Sequence, residues 1–175
     1  MLSNRALSSL LILPLLMIGG CAAPYVEPTS GPTARVRILA PTVRFTESLG
    51  LLVYPGGKCD AEAVFGVLGG NLGFLHEKDL PSLDMPTILP IKRGTSFERR
   101  IPAGGKYLFR AYSSRGSDMC TAHASFVPQP DTDYEILLHS TAFKCGLDVR
   151  KIAVDSTGTA FAIKPTDVTY PKKCE

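Results

Sequence analysis

Five cysteines and three histidines carry most of the reactive chemistry open to this 175-residue chain, and their spacing narrows what that chemistry can be. A tetrahedral metal site wants closely spaced sulfur and imidazole ligands. Cys59, Cys120, Cys145 and Cys174 contain no Cys-x-x-Cys pair, and of the histidines only His123 lies near one of them. If that segment is extended, His123 and Cys120 point to opposite faces, because side chains alternate along a strand. The stretch His76-Glu77-Lys78-Asp79 gathers several ligand types, with Asp60 or Glu62 as further candidates, but a solvated polar loop has the same composition. The glycine-rich residues 66–73 are followed by neither Lys-Ser/Thr nor a helical pattern, so no phosphate cradle is expected. No Gly-x-Ser-x-Gly, His-Glu-x-x-His or Gly-x-Gly-x-x-Gly occurs, and nothing fixes the separation of Glu47, Asp60 and Glu62 as a glycosidase pair would require. The expectation is a protein that is not an enzyme and takes no metal or cofactor. His139, the third histidine, has no such neighbour in sequence.

Basic residues offer a second kind of chemistry. Arg93, Arg99, Arg100 and Arg110, with Lys92 and Lys106, gather around one expected hairpin, and between Asp84 and Asp118 only Glu98 is acidic. Such a cluster can meet lipopolysaccharide phosphates or glycan carboxylates, or simply line a solvated strand face. The formal net charge of +3 is too small to indicate nucleic acid as a partner.

The N-terminal residues 1–20 are not part of any fold. Arg5 supplies a short positive region, residues 10–18 form an apolar run interrupted only by Pro14, and Gly19 and Gly20 precede Cys21. The run is about half the ~20 residues a spanning helix needs, which makes it a signal peptide. The junction Ile18-Gly19-Gly20-Cys21 resembles the lipobox of bacterial lipoproteins. That resemblance implies cleavage before Cys21, a thioether-linked diacylglycerol on its sulfur, and acylation of the new amine by a fatty acid such as palmitate. Two or three acyl chains hold a protein stably at a bilayer where one is marginal. Ala22 stands where an aspartate would resemble the inner-membrane retention signal, so the implied address is the outer membrane, on its periplasmic side. Residues 21–34 then read as a lipidated cysteine followed by a Pro-rich spacer, with a reach of at most ~40 Å.

With Cys21 assigned to lipid, four cysteines remain, and an even remainder in an exported chain reads as two disulfides with three possible connectivities. A Cys120–Cys145 bridge is feasible if the intervening strand diverges, since in a flat meander the Cα atoms would stand ~10 Å apart. Cys59 would then pair with Cys174.

Residues 35–175 read as one domain of short strands. Val36, Ile38 and Ala40 alternate with Arg35 and Arg37; Tyr107, Phe109 and Ala111 alternate with Leu108 and Arg110; Cys120, Ala122, Ala124 and Phe126 share a face opposite His123. Further strands are expected at 51–54, 64–68, 88–92, 97–101, 134–139, 145–154 and 159–163. Gly/Pro turns separate them, 16 Gly and 14 Pro in all, and no sustained helical period appears beyond the signal. At most one helical turn is expected in 76–83, where Pro81 interrupts, and residues 69–87 form the longest irregular stretch. The fold class is all-β: an antiparallel β-sandwich of about seven to nine strands, stabilised by disulfides.

The stretch from Phe126-Val127-Pro128 through Asp131-Thr132-Asp133-Tyr134 resembles the tyrosine corner of fibronectin type III and related sandwiches, with two extra residues in the spacing. There the tyrosine hydroxyl bonds back to upstream backbone. Ile101-Pro102-Ala103-Gly104-Gly105 before Tyr107-Leu108-Phe109 is similar to small transthyretin-like or immunoglobulin-like envelope lipoproteins, over roughly residues 97–152. These resemblances bring no activity; the lipobox and the missing catalytic motifs instead lead to the expectation of a periplasmic binding or structural module with a membrane anchor and a protein or glycan partner in the envelope. Alternatives are an accessory subunit of an envelope or secretion assembly, or an inhibitor of a periplasmic or host hydrolase.

Overall fold

A computed structural model describes residues 22–41, 48–60, 62–68, 82–88, 90–91, 95–115, 118–140 and 145–172. Among them there is no helix, and ten strands occur: β1 (Ala23–Pro24), β2 (Thr33–Leu39), β3 (Ser48–Pro55), β4 (Ala63–Leu68), β5 (Ser96–Pro102), β6 (Tyr107–Arg115), β7 (Asp118–Phe126), β8 (Asp133–Ser140), β9 (Cys145–Val154) and β10 (Ala160–Ile163). They form two five-stranded sheets, ordered β1-β4-β3-β6-β7 and β10-β9-β8-β2-β5. Neighbours run antiparallel except for β1 with β4 and β2 with β8. The chain is therefore the expected all-β sandwich, with one strand more than the seven-to-nine range.

The alternating residues meet between the sheets. Val36, Ile38, Leu51, Val53, Phe109, Ala124, Phe126, Tyr134 and Ile136 are all buried in one apolar cluster. Rings cross it in series: Tyr25 to Phe65 at 5.0 Å, Phe65 to Phe109 at 5.4 Å, Phe109 to Phe126 at 5.4 Å and Phe126 to Tyr134 at 4.9 Å between centroids. Tilted and offset pairs of this kind add to the burial of their surface. Phe97 closes down on the backbone of β4, where a Cβ on Gly66 would come within 2.3 Å of its ring.

Two sequence expectations are corrected. The strand at 88–92 is not present among the described residues there, which are irregular. Pro86 and Pro90 remove ladder donors from this stretch, and the carbonyls of the preceding residues are taken by side chains instead. The segment 22–34, expected as a free spacer, is partly built into the sandwich. Ala23 and Pro24 pair with Ala63 and Val64, the Tyr25 amide donates to the Val64 carbonyl at 2.9 Å, and Thr33 already belongs to β2. Pro24, which has no N–H, is tolerated because β1 is an edge strand. Tyr25 supplies the apolar surface that makes docking favourable. The possible helical turn at 76–83 falls mostly outside the described residues.

Candidate functional site

The outward face of the sheet carrying β2 is charged and covered. Arg35 and Arg37 of β2 point away from the core, as alternation requires, but Arg37 is nearly inaccessible to solvent. Its Nε donates to Glu98 Oε1 of β5 at 2.9 Å, its Nη1 stands 3.5 Å from Glu135 Oε2 of β8, and Arg150 of β9 closes the row by donating from Nε to Glu135 at 2.8 Å. Arg35 grips Asp133 with two bonds, Nε to Oδ1 at 2.6 Å and Nη2 to Oδ2 at 2.7 Å. Residues 82–86 lie across this row. Arg35 Nη1 donates to the Leu83 carbonyl at 2.9 Å, Arg37 Nη1 to the Pro86 carbonyl at 2.8 Å, and the Leu83 amide donates to Glu98 Oε2 at 2.6 Å. Three arginines thus meet three carboxylates, and bidentate contacts of this kind are the strong ones. Charge paired in this way holds residues 82–86 in place over the buried Arg37.

The outward face of the other sheet is polar and less completely paired. Register places Arg110 of β6 between Leu52 of β3 and His123 of β7. Tyr54 donates its hydroxyl hydrogen to Glu62 Oε2 at 2.9 Å and also interacts with Arg110, whose Nε is buried without a hydrogen-bond partner. Burial first, and the Arg110 charge second, hold the His123 imidazole below its ordinary pKa. Burial raises the phenols of Tyr54 and Tyr112. The Tyr112 ring leans over β3 at Gly50, where a Cβ would meet its Cζ at 2.0 Å. Tyr54 and His123 are themselves buried, so among the described residues of this cluster only Arg110 and Tyr112 are partly exposed. The register that unites Arg110 with His123 follows from the β6–β7 pairing, in which Arg115 stands opposite Asp118.

The basic residues expected to cluster do not share one surface. Arg99 turns inward, where Nε donates to the Phe65 carbonyl at 2.7 Å and Nη1 faces Glu27 at 3.6 Å; Arg100 is exposed on β5, and Arg110 stands on the other sheet. Lys92 and Arg93 lie outside the described residues, as do Cys21, Cys174, Glu47 and the stretch His76 to Asp79. His139 is exposed near the end of β8. Among the described residues no group of three His, Cys, Asp or Glu side chains is placed to hold a metal ion.

Cys120 and Cys145 form a disulfide with Cα atoms 5.9 Å apart. The divergence this pairing demands is present: β7 and β8 belong to different sheets, so the bridge joins β7 of one to β9 of the other. Cys59 is also disulfide-bonded, and its expected partner Cys174 lies outside the described residues. The tyrosine corner forms too, with the Gln129 amide donating to the Tyr134 hydroxyl at 3.1 Å. No known protein family and no curated protein matches the chain.

Proposed function

We propose that the chain is a bacterial lipoprotein, anchored in the outer membrane through acylated Cys21, whose periplasmic sandwich is a binding or structural module. The observation that carries this reading is the junction Ile18-Gly19-Gly20-Cys21 at the end of a short apolar run. Disulfides persist in oxidising compartments, and the Cys120–Cys145 bridge supports an exported destination. The partly exposed Arg110 and Tyr112 on the outward face of β6 support binding as the role of the folded part, with an envelope protein or glycan as partner. Metabolic labelling with a fatty-acid analogue tests the anchor: the wild-type chain takes up label and Cys21→Ala does not. An unlabelled wild type, or equal labelling of both, refutes it.

One observation favours the accessory-subunit reading. The edge strand β10 is free of charge and proline, and Val154, Phe161 and Ile163 of the β9–β10 hairpin are 49%, 43% and 44% exposed. Edges of that kind invite pairing with another chain. Crosslinking in cells from a photoreactive residue at position 161 yields a defined heterologous adduct if the chain is a subunit, and only uncrosslinked monomer if it acts alone.

A further inference from the structure

Resting on the lipoprotein reading, we infer that the domain does not swing on its anchor but is held against the bilayer in one orientation, with the pole formed by residues 55–60 and 102–106 on the phospholipid headgroups. A free spacer over 22–34 would let the domain stand up to ~40 Å away. The structure removes almost all of that slack. Ala23 is in register with Ala63 at the start of β4, Tyr25 packs on Phe65 and donates its hydroxyl hydrogen to the Arg100 carbonyl at 3.0 Å, and Glu27 faces Arg99. Cys21 is two residues from Ala23, so its Cα lies within about 8 Å of the first paired residue. A diacylglycerol attached there brings the headgroup layer to the end of the sandwich at which β1 and β4 begin.

That end is defined by register. β4 begins there, and so do β6, β8 and β2, while β3, β5, β7 and β9 end there. The turns that close it interlock: the Ala103 amide donates to the Pro32 carbonyl at 2.9 Å, Gly104 to Pro128 at 2.8 Å and Asp131 to Thr33 at 2.9 Å. Nearest the anchor, Pro55, Gly56, Lys58, Asp60, Gly104, Gly105 and Lys106 are exposed. The Lys106 stem lies along the neighbouring turn, within 3.0 Å of where a Gly57 Cβ would sit. Lys58 and Lys106 therefore carry two ammonium groups on adjoining turns, with Asp60 the acidic neighbour of the first. Cations placed this way meet lipid phosphates.

The test uses the full-length acylated chain in vesicles of phosphatidylethanolamine and phosphatidylglycerol, with an environment-sensitive fluorophore introduced through a non-natural azide residue at position 105 or 139. Gly105 sits at the proposed membrane pole; His139 is six residues along β8 from Asp133, about 20 Å away. Nitroxide lipids labelled in the headgroup quench most of the emission at 105 and little at 139. Inserting a flexible twelve-residue Gly-Ser segment between Ala22 and Ala23 abolishes that contrast. Equal quenching at both positions in the uninserted, acylated chain overturns the orientation while leaving the anchor intact. A chain whose intact mass shows no acyl groups overturns the lipoprotein reading, and the orientation with it.

Discussion

Arg37 donates two hydrogen bonds to a single oxygen of Glu98, from Nε at 2.9 Å and from Nη2 at 2.6 Å, although 61 residues separate them in sequence. The guanidinium side chain is 1% exposed. Removing one member of a buried pair strands the other without water, at a cost of about 3–5 kcal/mol. Arg37→Met is expected to lower the free energy of unfolding in urea by that much. Adding Glu98→Gln should recover part of the loss, because Glu135 retains Arg150. A double variant no more stable than Arg37→Met would show that the charge pairing is not what holds this face.

The bridge between Cys120 and Cys145 closes a loop with a sequence separation of 25. By chain entropy such a loop stabilises the fold by about 3–4 kcal/mol. Replacing both cysteines by alanine should shift the urea midpoint down accordingly, and reductant should then have a smaller further effect than on the wild type. Peptide mapping under non-reducing conditions should recover Cys59 linked to Cys174.

Gly66 is expected to tolerate no side chain. A methyl there collides with the Phe97 ring at 2.3 Å, and overpacking a core of this kind costs about 1–3 kcal/mol. Gly66→Ala should destabilise, and Gly66→Ala with Phe97→Leu should restore much of the loss. A thermal midpoint unchanged by Gly66→Ala would refute the close approach.

Tyr134 should report on the turn before β8. Tyr134→Phe keeps the ring on Phe126 but leaves the Gln129 amide without its acceptor, a loss of about 0.5–1.5 kcal/mol because water can reach the exposed Gln129. Hydrogen exchange at Gln129 should accelerate in this variant while the amides of β9 stay protected.

His123 gives the stability a pH dependence with a definite sign. Its imidazole is held below the ordinary value of 6.5 by burial and by Arg110. The unfolded chain therefore takes up a proton at higher pH than the folded one, and stability falls as pH drops from above 6.5 through the folded pKa. His123→Gln should flatten the wild-type decline in that window. Equal slopes for the two proteins would mean that another group dominates.

Much of this architecture is legible in the residues, and the rest is hidden for identifiable reasons. The alternation of Val36, Ile38 and Ala40 places β2 against the core without ambiguity, and the bounds read for 145–154 coincide with those of β9. Those signals are local. Arg37 reads as a solvated strand residue because what covers it, Met85 and Pro86, lies nearly fifty residues away. β1 is invisible for the opposite reason: two residues, one of them proline, carry no period, and only Tyr25 hints at a docked segment. The cluster of Tyr54, Arg110 and His123 depends on register between three strands, and the turn read at residues 113–116 misplaced it, since Ser113 to Arg115 belong to β6. The position of β2 between β5 and β8 has no local marker at all.

That position has a consequence for how the molecule must be made. β2 is among the first strands to emerge from a ribosome or a translocation channel, yet its hydrogen-bonding edges belong to β5 and to β8, and Arg35 meets Asp133 across 98 residues. The sheet that contains β2 cannot assemble vectorially around it. Most of the chain must already be out before the second sheet can zip, and pairing this remote in sequence is slow, on the order of milliseconds to seconds. During that wait the apolar side of β2 is an unpaired, aggregation-prone strand.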